Sequence, residues 1–205
     1  VTDPNTLHQH KDRPVPWITR WSGEVSFDKY QMTIERTGVR LHYPDGNENR
    51  EANGVLWKRE GITRAGSPQY SQINTYRQRA AMRKRLCQVC GTKINERPIR
   101  WLMNEKALTP QEDGTAITMS APTCESCIPL ALSVCPHLKS EPTIILKVLD
   151  YEPWGVYGQA VHLDPETGKA QDLRGVYIEY ANPPIELTAL VAFQEVVRLT
   201  KYVKE

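Results

Sequence analysis

Alternating apolar and polar positions mark the first patterned stretch of the chain. Tyr30, Met32 and Ile34 alternate with Gln31, Thr33 and Glu35, which predicts a half-buried strand. Thr37-Gly38 turns it into a second strand with Val39, Leu41 and Tyr43 on one face. Pro44-Asp45-Gly46-Asn47 is another turn, and Gly54 leads into Val55-Leu56-Trp57-Lys58. Residues 14–63 therefore read as a small antiparallel sheet, with Trp17 and Trp21 just before it as packing aromatics. The polar residues ahead of it, 1–13, read as a disordered tail in which His8 and His10 bind no metal.

The pattern changes after a loop at 64–71. A helix is predicted from about Gln72 to Leu86, with Ile73, Tyr76 and Ala80 on its packing face. Two strand-like pieces follow, Pro98–Met103 and Thr115–Met119. Thr143–Leu149 is apolar on both faces and reads as a central strand. Val156–Leu163 and Gly175–Tyr180 are further strands, joined through Asp164-Pro165-Glu166-Thr167-Gly168 and stopped at Asn182-Pro183-Pro184. Leu190, Phe193, Val196, Val197 and Leu199 form a wide apolar arc at helical spacing, so 186–203 reads as an amphipathic helix packed on the sheet.

Composition places this pattern in a globular chain. Of 205 residues, 40% are hydrophobic and 24% charged, which excludes a wholly disordered or collagen-like protein. No apolar run is long enough to span a membrane, and the N-terminus has no apolar signal region, so the expectation is a cytoplasmic protein without a membrane partner.

Charge divides the chain more sharply than its net +2 suggests. Residues 1–63 balance nine basic against nine acidic groups. Residues 64–100 hold nine basic groups and one acid, Glu96, while 101–205 hold eight basic groups and fourteen acids. The basic block reads as a surface for an anionic partner, as a merely solvated face, or as a block that pairs with the acidic remainder.

Candidate chemistry lies beside that block. All five cysteines fall between 87 and 135. Cys87-Gln-Val-Cys90 and Cys124-Glu-Ser-Cys127 are two C-x2-C pairs with 33 residues between them. Each pair offers two thiolates from one tight turn, and two turns close a tetrahedral shell around Zn2+ with no position left for water. That is the pattern of a structural site, one ion per chain. Two disulfides are the competing account, and the absence of a secretion signal argues against them. Gly91 after the first pair, the two strand-like pieces and a short helix opening at the second pair compose a treble-clef-like module. Cys135 lies about 16 Å along that helix from Cys124, too far to share the ion, and His137 substitutes for a cysteine only if the chain folds back sharply.

Several enzyme classes are excluded. Residues 91–123 contain no histidine, so the module lacks the base of an HNH-type nuclease. Pro122-Thr123-Cys124 spaces the proline wrongly for a zinc deaminase, and no H-x-E precedes it. Neither C-x2-C pair sits in a βαβ pattern, and no P-loop, G-x-G-x-x-G or G-x-S-x-G occurs.

The fold expected is α+β: residues 14–63 β-rich, 64–138 a basic helix and four-cysteine zinc module, and 139–205 β-rich with a C-terminal amphipathic helix. The function expected is nucleic-acid binding, with Arg77, Arg79, Arg83, Lys84 and Arg85 of the helix and Lys93, Arg97 and Arg100 of the knuckle meeting phosphates. The alternative is a zinc-stabilised scaffold for a protein partner, with no nucleic acid. CQVCG, preceded by RQRAAMRKRL and followed by the Cys124–Cys127 helix, resembles an uncharacterised actinobacterial protein family, as do Pro16–Glu24 and Gly54–Trp57. The resemblance covers roughly residues 14–138. It implies a bacterial or phage-like intracellular setting and brings no catalytic residue.

Overall fold

The computed structural model describes residues 7–205 apart from 28, 37, 47, 165 and 184. Its first elements are short strands: β1 (Gln9–His10), β2 (Arg13–Pro14), β3 (Thr19–Trp21), β4 (Ser26–Phe27), β5 (Gln31–Glu35), β6 (Gly38–His42), β7 (Leu56–Trp57), β8 (Arg59–Glu60) and β9 (Pro68–Ile73). Helix α1 (Thr75–Lys84) follows, then β10 (Ile99–Asn104), β11 (Thr109–Pro110), β12 (Ala116–Thr118) and the short helices α2 (Ile128–Val134) and α3 (Pro136–Ser140). Three long strands complete the chain, β13 (Thr143–Leu163), β14 (Ala170–Glu179) and β15 (Leu190–Lys204).

The main sheet has seven strands, with β10-β13-β15-β12-β11 in order, β14 beside the second half of β13, and β7 beside the start of β15. The two strands expected at 143–149 and 156–163 are one bent strand, β13. Register shifts on either side of Asp150, at Pro153/Gly155 and at Tyr157/Gly158 let it cross the kink without losing its partner β15.

The C-terminal helix expected at 186–203 is instead β15. Its first half is buried on both faces: Leu190 and Ala192 join one apolar cluster and Val191 another. Consecutive strand residues point to opposite faces, so these clusters lie on opposite sides of the sheet. An apolar run that is buried all round has no period of its own. The branched residues Val191, Val196, Val197 and Val203 then favour the pleat.

Three further expectations change. Strand β5 forms and pairs with β6, yet Met32 and Ile34 remain 42% and 67% exposed, and the buried face belongs to Val39, Leu41 and Tyr43. Residues 7–14 are not a loose tail: β1 pairs with β2, Leu7 is buried, and the rings of His8 and His10 meet Trp21 edge-on at 4.9 and 5.7 Å. Residues 1–6 of that tail, like Thr37, Asn47, Pro165 and Pro184 of the expected turns, lie outside the described residues. Helix α1 starts at Thr75 because β9 continues through Ile73, which pairs with Thr19. Asn74 caps it, its side chain accepting from the Arg77 N–H at 3.1 Å.

The packing face of α1 is not the one that apolar spacing selects. Tyr76 is 44% exposed, whereas Arg77, Gln78, Ala81 and Met82 are buried. Gln78 explains how the helix docks. On one edge β15 pairs with β7 at Val191 and Ala192, then with β12 from Val197 to Leu199. Between them the Gln78 amide stands in for a strand. It donates to the Glu195 carbonyl at 2.9 Å and the Met119 carbonyl at 2.8 Å, and accepts from the Glu195 N–H at 2.9 Å. Replacing Gln78 with Ala or Met leaves these buried backbone groups unpaired. The expected loss is about 3 kcal/mol in urea unfolding for either variant; a loss below about 1 kcal/mol would show that the gap in the sheet is closed some other way.

Candidate metal centre

The first cysteine pair is presented by the way α1 ends. Arg85 adopts the left-handed conformation, φ 55° and ψ 52°, and the Leu86 N–H reaches back to the Ala81 carbonyl at 3.0 Å. This reversal costs about 1–2 kcal/mol in a residue other than glycine. It sets Leu86 opposite Lys93 and closes the knuckle between them. Within it, the Cys87 N–H donates to Thr92 O at 2.8 Å, the Gly91 N–H to Cys87 O at 2.8 Å, and the Val89 N–H points at the Cys87 sulfur at 3.4 Å. Gly91 has φ +75°, and a Cβ there would fall 2.5 Å from the Trp17 ring. Both the turn and the close ring require glycine.

The second pair sits at the mouth of α2. Cys127 donates its N–H to Cys124 O at 3.0 Å, in a single tight turn before Ile128. Gln88 ties the two turns together: its N–H reaches Pro122 O at 2.9 Å and its side chain donates to the Thr123 hydroxyl at 2.8 Å. Thr123 in turn donates to Arg100 O of β10 at 2.9 Å. From the other side Trp17 and Ile18 donate to Val89 O and Gln88 O at 2.8 and 3.2 Å.

The four sulfurs of Cys87, Cys90, Cys124 and Cys127 lie within 4.8 Å of one another, with Cys90 and Cys124 at 3.8 Å. A tetrahedron with metal–sulfur bonds of about 2.3 Å has edges of about 3.8 Å. All five cysteines are free thiols, so no disulfide competes for these sulfurs. Cys87, Cys124 and Cys127 are buried, and Cys90 is half-buried. Their protons are shared unequally. Cys127 holds the Cys124 thiol down to about 6, and hydrogen bonding with Cys124 holds Cys90 low. Contact with Cys124 pushes Cys87 and Cys127 up. A cation removes this competition by taking all four as thiolates. The arrangement suits a soft metal ion in a closed shell. Cys135 is half-buried beyond the end of α2, and neither it nor His137 belongs to the cluster.

The site rests on the main core. Trp101 of β10, fully buried, donates from its indole N–H to Ser120 O at 2.8 Å and meets Tyr151 edge-on at 5.0 Å. Around it pack Met82, Cys87, Val89, Cys127, Ile128 and Leu146. Among the described residues the two pieces expected to form the treble-clef hairpin do not pair with each other. Strand β10 pairs with β13, and β12 with β11 and β15, so two strands stand between the pieces expected to pair.

The expected phosphate contacts divide into two groups. Arg77 is 3% exposed and forms a buried ion pair with Glu24, which also accepts from the Trp21 N–H at 2.9 Å and the Asn74 side chain at 3.1 Å. Arg79 lies 4.5 Å over the Trp57 ring and 3.5 Å from Glu51. Arg83 bonds Glu51 at 3.0 Å and Glu195 at 2.8 Å. Burial pushes the Glu195 carboxyl up, and Arg83 and the Tyr180 hydroxyl at 3.1 Å work against it. Arg100 pairs with Glu125 at 3.0 Å and Glu205 at 3.5 Å. These four arginines hold the fold together. Lys84, Arg85, Lys93 and Arg97 form no ion pair among the described residues; Lys84 and Arg85 end α1, Lys93 closes the knuckle and Arg97 follows it in sequence. Burial pushes the Tyr151 phenol up, and Arg85 and Arg97 only partly offset it. Spacing along the helix could not make this division, because Glu24 and Glu195 are distant in sequence.

Among the described residues, no helix is long and apolar enough to cross a membrane. Two outcomes follow. The reduced protein takes up one metal ion per chain, Cys87→Ser and Cys127→Ser abolish that uptake, and Cys135→Ser leaves it intact, as read by metal analysis after gel filtration. Arg77→Ala lowers unfolding stability by about 3–5 kcal/mol, as expected on breaking a buried pair, whereas Lys93→Ala stays within about 0.5 kcal/mol; equal losses would undo the division of the cations. No family model, curated protein or solved structure matches this chain, so the site rests on its own residues and distances.

Proposed function

We propose that the chain is a zinc-stabilised binding protein. It holds one structural Zn2+ with Cys87, Cys90, Cys124 and Cys127, and meets a nucleic-acid backbone with Lys84, Arg85, Lys93 and Arg97. Zinc fits the donor set because a closed shell of four thiolates in two C-x2-C turns is its structural coordination. The shell leaves no position for a substrate, so the ion braces the fold.

One observation carries the binding reading: of the eight expected phosphate contacts, the four that form no ion pair among the described residues are Lys84 and Arg85 at the end of α1, Lys93 in the knuckle and Arg97 shortly after it in sequence. Arg85 ends α1, Lys93 faces Leu86 across the knuckle, and Ile94 donates to Arg85 O at 2.7 Å. The backbone thus fixes Lys84, Arg85 and Lys93 near one another, and the metal fixes the backbone. Four cations on a braced loop suit contacts to phosphate oxygens, which position a partner without reading its sequence.

Binding to a labelled oligonucleotide should weaken with salt, with log K against log[salt] of slope about −3 to −4 for four contacts. The double variant Lys93→Glu/Arg97→Glu should reduce that slope by about 2 and leave the unfolding midpoint unchanged. A protein that ignores DNA and RNA at low salt, yet co-purifies with a protein partner after nuclease treatment, would instead be a scaffold.

A further inference from the structure

At the far end of α1 from the knuckle lies a cleft of about 600 Å³. Phe27, Ile62 and Tyr76 line it and stay 49%, 59% and 44% exposed. Three large apolar side chains left open around one concavity form a docking surface.

The charges in its walls are neutralised in place. Arg59 forms a forked pair with Asp45 at 2.9 and 3.0 Å, Lys58 pairs with Glu60 at 3.1 Å, and Arg79 with Glu51 at 3.5 Å. The Arg59 guanidinium also lies 4.9 Å from the Phe27 ring and 4.2 Å from that of Tyr43, so the aromatic wall is fixed before anything binds. Asn49, half-buried, also lines the cleft and adds a polar residue to its wall. Such a cleft takes a flat, uncharged group with hydrogen-bonding edges.

The knuckle at the other end of the helix asks for the opposite, a chain of anions. Tyr76 and Lys84 are eight residues apart on α1, about 12 Å along its axis, a span of a few nucleotides. Between them Arg79 and Ala80 are half-buried and Arg83 is exposed, while Arg77, Gln78, Ala81 and Met82 take the inward side. One ligand carries neutral aromatic planes on an anionic backbone with the planes free to turn outward, and that is single-stranded nucleic acid. A duplex keeps its bases stacked and paired and cannot offer one to the cleft.

We infer that the Phe27–Tyr76 cleft receives an unpaired base, so that the partner is single-stranded DNA or RNA held across α1. The inference rests on the phosphate-binding role of the knuckle cations and adds the cleft as a second contact.

The test is fluorescence anisotropy with three labelled probes of one length: a mixed-sequence single strand, its duplex, and a strand of abasic sugars that keeps the phosphates. The single strand should bind the zinc-loaded protein about 10-fold or more tighter than the abasic strand or the duplex. Phe27→Ala/Tyr76→Ala should erase that preference without changing the salt slope, and Tyr76→Phe should retain it. Lys93→Glu/Arg97→Glu should weaken all three probes together. Should the alanine pair fail to fold, the abasic comparison on the wild-type protein decides alone. Equal binding of all three probes would overturn the cleft assignment while leaving the phosphate contacts standing. Failure to bind any probe at low salt would overturn both.

Discussion

Four sulfurs held within 4.8 Å of one another cannot all carry charge unless a cation sits among them. That constraint organises the centre of this protein. Two turns, 33 residues apart, must arrive at one point from different directions. One comes from the end of α1, which reverses at a left-handed arginine. The other comes from the mouth of α2. Gln88, Thr123 and the Trp17 strap hold them there, and the core around Trp101 closes beneath. A metal held here would couple its binding to the folding of this region, because the liganding geometry has no meaning in the open chain.

The second organising feature is electrostatic. The basic block at 64–100 faces acids that come from both flanks: Glu24 and Glu51 from before it, Glu125, Glu195 and Glu205 from after it. Arg77 and Glu24 are withdrawn from water as a pair and share their remaining hydrogen-bonding capacity with backbone carbonyls and amides. Such a pair is costly to form and costlier to break. Of the eight expected contacts, four remain without an ion pair among the described residues, and they lie at or close in sequence to the four-cysteine knuckle.

The four-cysteine cluster was legible in the sequence because metal ligation is a local demand. C-x2-C is a turn of fixed size, and it holds its two sulfurs together regardless of what the distant chain does. The position of α1 was legible to within a few residues for a similar reason, since Asn74 caps it and the knuckle ends it. Its orientation was not legible. The inward face is built from Arg77 and Gln78, whose partners Glu24 and Glu195 lie 53 and 117 residues away. No hydrophobic period reports a packing face made of satisfied polar groups. The C-terminal strand was hidden by the opposite effect. Buried on both faces over much of its length, β15 offers apolar residues at every spacing, and a helical arc can be drawn through them. The treble-clef expectation failed because local pieces alone do not fix pairing: β13 and β15, from the last third of the chain, insert between β10 and β12.

One metal ion held by all four sulfurs would close this site. X-ray absorption at the metal edge of the purified, reduced protein measures it directly. The expected result is zinc with a single shell of four sulfur neighbours at about 2.3 Å. A shell containing nitrogen or oxygen in place of one or more sulfurs, or a folded protein with no bound metal, would contradict it.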